Sequence, residues 1–130
     1  MIRAKSVHSP IDRHKDGLRI LAARGQGRGL RANRYDVWMA NLGPSEDLMD
    51  AFRNQRISWP EFSRRYRKEL KEDGGVDKRH HIKNHGQKFT LRLLQKLGRQ
   101  QNVTLMCHCG EDQQQCQRHL LKKILQSKIS

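Results

Sequence analysis

The fold is decided by the stretch VTLMCHC at residues 103–109, an apolar run that ends on two cysteines and a histidine. Such a run predicts a strand that is buried on both faces, as the strands of parallel sheets are. A helical pattern follows over about residues 113–126, and its apolar positions are expected to face inward: Leu120, Leu121, Ile124 and Leu125. A strand that leads directly into an amphipathic helix is typical of α/β proteins.

Upstream of this stretch, two further strands are predicted at residues 2–7 and 18–23, where apolar residues alternate or cluster. The second strand runs into the glycine-rich turn RGQGRG at residues 24–29, where the apolar periodicity stops. Residues 73–85 are polar and contain a pair of glycines, so we expect a loop there.

Four helical segments are predicted between the second and last strands. Residues 35–42 have helical spacing, and Ser45 is expected to cap a second helix. Ser58 and Glu61 form a capping box for a third, whose inward face carries Trp59, Phe62, Tyr66 and Leu70. The fourth, over residues 89–99, is expected to bury Phe89, Leu93, Leu94 and Leu97 and to end at Gly98.

Strands and helices in this order predict a small three-layer α/β domain with a largely parallel sheet and helices on both faces. The 130 residues suffice for a single core, so we expect one domain over residues 1–130. No run of 18 apolar residues and no secretory signal is present, which favours a cytoplasmic protein without membrane contact.

Charge is the strongest signal in the composition. Lys and Arg number 27 against 13 Asp and Glu, which gives a net charge of +14. A field of this sign attracts polyanions, so a nucleic acid or a phosphate-bearing small molecule is a candidate partner. The cations are spread along the whole chain, however, and a solvated basic surface explains them equally well.

The three cysteines lie within ten residues, around the end of the last predicted strand. On a strand, Cys107 and Cys109 project from the same face, and on the following helix Cys116 and His119 share a face. A tight turn would bring these four groups together as soft ligands for tetrahedral zinc. The alternative is that Cys107 and Cys116 are small core residues.

The same segment also supports a cysteine nucleophile. Cys109 or Cys116 would lie near a helix N-terminus, which lowers the pKa of a thiol. His108 or His119 would then act as the base, and Arg118 would bind an anion.

The turn at residues 24–29 is the second candidate site. Its glycines let backbone amides approach a phosphate, and Arg24 and Arg28 offer bidentate guanidinium groups. It lacks the Lys-Ser/Thr ending of a P-loop, and a flexible basic turn is the simpler interpretation. His81 and His85 are four residues apart but stand in a polar segment, where we expect them to be solvated.

Four blocks of sequence keep a fixed order and spacing over nearly the whole chain. They are residues 18–30, the segment Asp36-x-Trp38 to Pro44-Ser45, the pattern Trp59-x-x-Phe62-x-x-x-Tyr66-x-x-Glu69-Leu70, and Val103-Thr104-Leu105. These blocks resemble the YeaO-like group of the domain-of-unknown-function family 488 (DUF488). The resemblance implies a compact α/β fold in prokaryotes, and it brings no established activity, substrate or cofactor.

This chain departs from the resembled group at several positions. The group's second strand typically ends Asp-Arg-Leu-Trp-Pro-Arg-Gly, where this chain has residues 23–29 without the carboxylate and the aromatic. Where the group usually has a lysine this chain has Ala40, and where it usually has a histidine this chain has Asn54. Relatives in the wider family have Cys-His-Arg after the last strand, and this chain has Cys116-Gln117-Arg118. The arginines and cysteines that are kept suit anion binding better than proton transfer. We therefore expect a phosphate-bearing ligand at the carboxyl edge of the sheet, held by Arg24, Arg28 and Arg118, with a cysteine enzyme or a structural zinc as alternatives.

Overall fold

A computed structural model describes residues 1–76, 83–85 and 87–128. Its main sheet has four parallel strands in the order β1-β6-β2-β3. They are β1 Ile2–Ser6, β2 Leu18–Leu21, β3 Val37–Trp38 and β6 Val103–Cys107. Every residue of β6 is buried, because this strand lies between β1 and β2 and is covered on both faces. The predicted parallel α/β fold is confirmed.

One face of the sheet packs against four helices. They are α2 Glu46–Arg53, α3 Trp59–Lys71, α4 Lys88–Gln100 and α5 Gln117–Leu125. Their apolar faces meet alternate residues of the strands in one large core; Ile20 and Leu105 contribute from the sheet, and Phe62, Tyr66 and Leu121 from the helices. Burial of this apolar surface, at roughly 25 cal/mol per Å², is the main force that holds the helices on the sheet.

The other face of the sheet has a thinner cover. A second core cluster of Val7, Leu21, Ala23 and Met106 packs there against Leu30 and Tyr35 from the long segment after β2. The single-turn helix α1 Arg13–Asp16 also lies on this side, where Thr104 Oγ1 donates to the Asp16 carbonyl at 2.7 Å. The helical layers on the two faces are therefore very unequal.

The expected caps are present where Ser precedes a helix. Ser45 Oγ accepts from the Leu48 amide at the start of α2. Ser58 Oγ accepts from the Glu61 amide at the start of α3. The Glu61 carboxylate instead binds Arg64 and Arg65 one turn later on the same helix. The sequence therefore predicted where both helices begin.

Two predicted elements are wrong. Residues 35–42 form the short edge strand β3 and a 3-10 turn at Ala40–Leu42, because the backbone there pairs with β2. The segment over residues 73–85 contains an antiparallel pair, β4 Asp73–Val76 and β5 Lys83–His85, where only a loop was expected. In the first case a distant strand overrides the local pattern, and in the second the two ends of the polar segment pair with each other.

The buried face of α4 also differs from the prediction. Leu91 and Leu94 are buried, whereas Phe89 is 81% exposed and Leu93 is 57% exposed. Gly98 does not end the helix; it is buried inside it, where an added Cβ would overlap the Ile2 side chain. The glycine is thus required by the close approach of α4 to β1. None of the helices over the described ranges is long and apolar enough to span a membrane.

Candidate functional site

The carboxyl ends of the neighbouring strands β2 and β6 open onto one cavity of about 230 Å³. The turn after β2 and the segment after β6 both line it, as the sequence predicted for strands that run in parallel. Its walls comprise Ala23, Arg24, Gly25, Gly27, Pro44, Glu46, Met49, Asp50, Arg53, His108, Cys109 and Gln117. In open α/β sheets, ligands bind in this position, outside the carboxyl ends of the strands.

His108 joins the two loops at this edge. Its Nε2 lies 2.8 Å from the Gly25 carbonyl oxygen, so the tautomer with a proton on Nε2 donates this bond and leaves Nδ1 as an acceptor. Gly27 has a φ of +83°, and a Cβ there would come within 2.6 Å of the His108 ring. The glycine-rich turn is therefore shaped to accept the imidazole, which is a close packing contact that requires a glycine.

Arg24 is only 7% exposed and lies at the inner end of the cavity. Its Nη1 donates to the Ala40 carbonyl at 2.8 Å, which fixes the guanidinium against the turn after β3. The indole of Trp38 also donates to the Ala23 carbonyl at 2.8 Å, so β3 and its following turn position the residue from two sides. A cation held in this way is preorganised for a ligand that enters the cavity.

Helix α2 supplies the remaining charged groups. Glu46, Asp50 and Arg53 line the cavity at positions i, i+4 and i+7, which is one face of a helix. Glu46 is buried, whereas Arg53 is exposed. The cavity therefore contains two carboxylates and two guanidinium groups. These three residues were not among the predicted site residues. The signal that could have found them is their spacing on one face of a helix that follows β3.

Arg118 lies inside the protein, 1% exposed, rather than at the cavity. Its Nη2 donates to the Gly110 carbonyl at 2.8 Å and its Nη1 to the Cys109 carbonyl at 3.1 Å. Further carbonyl contacts, each at 3.4 Å, are with Glu111 and Gln113. The guanidinium thus holds the loop between β6 and α5 around itself. An anion-binding role for Arg118 stays a prediction, and the geometry gives this residue a different task.

The three cysteines come together beside Arg118. Their sulfur atoms all lie within 4.8 Å of one another. The sulfurs of Cys107 and Cys116 are in direct contact, while Cys109 is a free thiol, half-buried at the cavity wall. Arg118 Nη1 lies 3.0 Å from the Cys107 sulfur. The contact between the Cys107 and Cys116 sulfurs is local, since it joins the end of β6 to the residue that precedes α5.

The predicted zinc site stays a prediction, and the structure brings its four residues together only in part. Zinc binds thiolates, and the three cysteine sulfurs lie close enough to share one ion. The Arg118 guanidinium contacts the same sulfurs and would repel a divalent cation. His119, the fourth predicted ligand, does not join the cluster: its Nε2 lies 3.2 Å from the Gln113 carbonyl oxygen. Partial burial and the neighbouring Arg118 lower the pKa of His119, so the ring is neutral at pH 7.

Arg28 lies apart from Arg24. It lines a separate basic cavity of about 300 Å³ with His8, Arg31 and Arg34. Arg34 is engaged there with the Val7 carbonyl, at 2.8 Å from its Nη2. The two arginines of the turn, predicted to act together, thus face different cavities. The suggested histidine pair of His81 and His85 falls outside the part of the chain whose side chains are described.

Residues 2–129 match the family model DUF488-N3a, which describes the active DUF488-N3 subclade. The chain belongs to the DUF488-N3a family. This confirms the resemblance to DUF488 drawn from the four sequence blocks.

Curated relatives of this DUF488-N3a protein are uncharacterized proteins of Mycobacterium bovis and of two Mycobacterium tuberculosis strains. Each is 30% identical over 77 residues, which cover 58% of this chain and 64% of the relative. No solved structure matches the chain at a significant level.

Proposed function

We propose that this DUF488-N3a protein binds a small phosphorylated molecule in the cavity at the carboxyl ends of β2 and β6. The observation that carries the proposal is the placement of Arg24 and Arg53 in the walls of one cavity at the ligand-binding edge of a parallel sheet. Guanidinium groups are the side chains best suited to phosphate, because their planar fork makes two parallel hydrogen bonds. The net charge of +14 adds a long-range attraction for such a ligand.

The carboxylates of the cavity define the rest of the ligand. Glu46 and Asp50 balance the two arginines, so a bare anion gains little from entering. A molecule with a phosphate at one end and hydroxyl or N–H donors at the other is complementary to both signs of charge in the cavity wall. A sugar phosphate, or the ribose-phosphate portion of a nucleotide, has this combination.

The size of the cavity supports the same ligand class. Pockets that enclose a drug-sized molecule have volumes of roughly 300–1,000 Å³. The value of about 230 Å³ found here is smaller than that range. We therefore expect the cavity to enclose a pentose phosphate or one end of a nucleotide, with any attached base outside.

Thermal unfolding with ribose 5-phosphate, AMP and inorganic phosphate tests the proposal. At ten times Kd, a ligand that binds only the folded state stabilises it by about 1.4 kcal/mol, which raises Tm by several degrees. Arg53→Gln should abolish the shift, because it removes a guanidinium group from the cavity wall. Arg53 is exposed, so its loss leaves the core intact. Arg56→Gln is the matched control, since Arg56 is equally exposed and lies outside the cavity. Equal shifts in both variants, or no shift in the wild type with any of the three ligands, would refute the proposal.

A second candidate function is cysteine-dependent catalysis at the same cavity. The observation that favours it is the free thiol of Cys109 in the cavity wall, beside His108 with its Nδ1 open to accept a proton. In this candidate His108 takes the thiol proton and the Cys109 sulfur forms a bond to the phosphorus of the bound ligand. The bond between phosphorus and the sugar oxygen breaks, and that oxygen leaves as a hydroxyl with the proton returned by His108.

Iodoacetamide labelling at pH 7 separates this candidate from simple binding. His108→Gln should slow the labelling of Cys109, because the base that takes the thiol proton is lost. Mass spectrometry identifies the labelled residue. Equal labelling rates of Cys109 in the wild type and in His108→Gln eliminate the nucleophile and leave the binding proposal standing.

A further inference from the structure

A second, larger concavity lies between α4 and the end of α5, away from the carboxyl edge of the sheet. It has a volume of about 810 Å³ and is lined by Phe89, Arg92, Leu93, Gln95, Lys96, Arg99, Gln126, Ser127 and Lys128. We call it the α4/α5 groove. None of these residues lines the proposed phosphate cavity, so the two sites are independent.

The floor of the groove is fixed by a side chain from α4. Gln95 Nε2 donates to the Leu125 carbonyl at 2.9 Å and to the Ser127 carbonyl at 2.6 Å. These bonds join α4 to the carbonyl groups at the C-terminal end of α5, which otherwise lack helical partners. The groove is therefore a defined part of the fold rather than a gap between loosely packed helices.

All charged residues of the groove are cationic. Arg92, Lys96 and Arg99 follow one side of α4 over about 10 Å, and Lys128 adds a charge from the segment after α5. No Asp or Glu is among the nine lining residues. Unlike the phosphate cavity, where carboxylates balance the arginines, the described lining of this groove has four positive charges and no carboxylate.

The groove also exposes apolar side chains that the sequence pattern assigned to the core. Phe89 is 81% exposed and Leu93 is 57% exposed, although each side chain lies on an otherwise amphipathic helix. The Arg92 guanidinium lies 5.8 Å from the centroid of the Phe89 ring in a cation–π contact. The contact holds the ring in place on one side, and the ring stays open to solvent on its other side.

We propose that the α4/α5 groove binds single-stranded nucleic acid. An exposed aromatic ring beside a row of cations is the arrangement with which proteins bind such strands: bases stack on the ring while the phosphates contact the cations. Phe89 provides the stacking surface. Arg92, Lys96 and Arg99 contact successive phosphates, and Lys128 contacts a fourth. An acidic peptide helix is a poorer occupant, because helix-in-groove binding uses three or four apolar anchors and the groove offers two apolar side chains.

Fluorescence anisotropy with a labelled 12-nucleotide oligo(dT) tests this proposal. For single strands, log K falls with log salt concentration with a slope of about −0.7 per phosphate contact. Four contacts predict a slope of about −2.8. The double variant Lys96→Gln/Arg99→Gln removes two contacts and should reduce the slope to about −1.4. Phe89→Ala should weaken binding by about 5- to 150-fold, which corresponds to 1–3 kcal/mol for one stacked base, with little change in slope.

The double variant Arg64→Gln/Arg67→Gln is the matched control, because it removes the same charge from the exposed face of α3. The proposal requires this control to retain the wild-type slope to within one contact. An equal loss in the control shows that binding follows net charge, and it overturns the assignment to the groove. Tighter binding of a 12-base-pair duplex or of a poly-glutamate peptide than of the single strand would also overturn it.

Discussion

Replacement of Arg118 by Met is expected to unfold most of the structure between β6 and α5. The Arg118 guanidinium is 1% exposed and donates to carbonyl groups of the loop that carries Cys109, at 2.8 Å from Gly110 and 3.1 Å from Cys109. A charged donor to a buried acceptor contributes about 1.5–3 kcal/mol, and its loss leaves the carbonyl unpaired. Two such bonds, offset in part because the cation no longer has to be buried, predict a loss of about 3–5 kcal/mol.

Urea denaturation measures this loss. With an m-value of about 1.5–2 kcal/mol/M for a chain of this size, the midpoint should fall by about 2 M. Arg28→Met is the matched control, since Arg28 is exposed in the turn after β2, and its midpoint should change by less than about 0.3 M. Arg118→Lys should lie between the two, because an ammonium keeps the charge and loses the two-pronged geometry.

A midpoint of Arg118→Met within 0.5 M of the wild type would refute the structural role. If the Met variant does not accumulate as a folded protein, Arg118→Lys gives the same test, and a wild-type midpoint for that variant refutes the two-pronged contact. Inorganic phosphate tests the predicted anion-binding role: if Arg118 binds phosphate, the salt stabilises the wild type more than Arg118→Met, whereas with the loop-holding role it stabilises both proteins equally.

Two further predictions concern stability. Gly17→Ala should lower the free energy of unfolding by at least about 3 kcal/mol, because Gly17 has a φ of +59° and an added Cβ would overlap the Asn102 carbonyl. Gly29→Ala should lower it by only about 1 kcal/mol, because Gly29 has a φ of +77° but open space around it. Urea melts measure both values, and equal losses would contradict the clash at Gly17. The pKa of Glu111 lies below its ordinary value of 4.5. Partial burial raises this pKa, but hydrogen bonds to the carboxylate lower it by more; one of them comes from the Ser6 amide at 2.6 Å. Folding therefore favours the ionised carboxylate, whose contribution to stability is complete above pH 4.5 and disappears as pH falls through the lower pKa of the folded state. The difference in stability between the wild type and Glu111→Gln should shrink over that interval. A constant difference from pH 6 to 3 would contradict the linkage.

The glycine-rich turn after β2 and the cysteine-containing segment after β6 lie at one edge of the sheet. This was predictable, because it follows from strand direction alone. Once residues 18–23 and 103–109 are both strands of a parallel sheet, the residues that follow them meet at one edge. Strand direction therefore predicts that Arg24 and Cys109 lie near each other, and both line the same cavity. The caps at Ser45 and Ser58 were equally local, since each depends on groups within three residues.

The direction in which each arginine points was not predictable. Arg24, Arg28 and Arg118 looked equivalent as candidate anion ligands, yet one lies in the cavity wall, one faces a different cavity and one is enclosed by its own loop. A long cationic side chain is placed by the carbonyl groups that it reaches, and those carbonyls belong to segments whose path depends on the whole fold.

The sequence by itself determined a basic α/β domain of the DUF488 type, with its last strand at the centre and its chemistry at the carboxyl edge, because apolar periodicity and strand direction are properties of neighbouring residues. The tertiary structure alone decided that Glu46, Asp50 and Arg53 share the cavity, and that Phe89 and Leu93 face solvent. A helical pattern shows which residues share a face, and only the packing of α2 and α4 against their neighbours determines what that face meets.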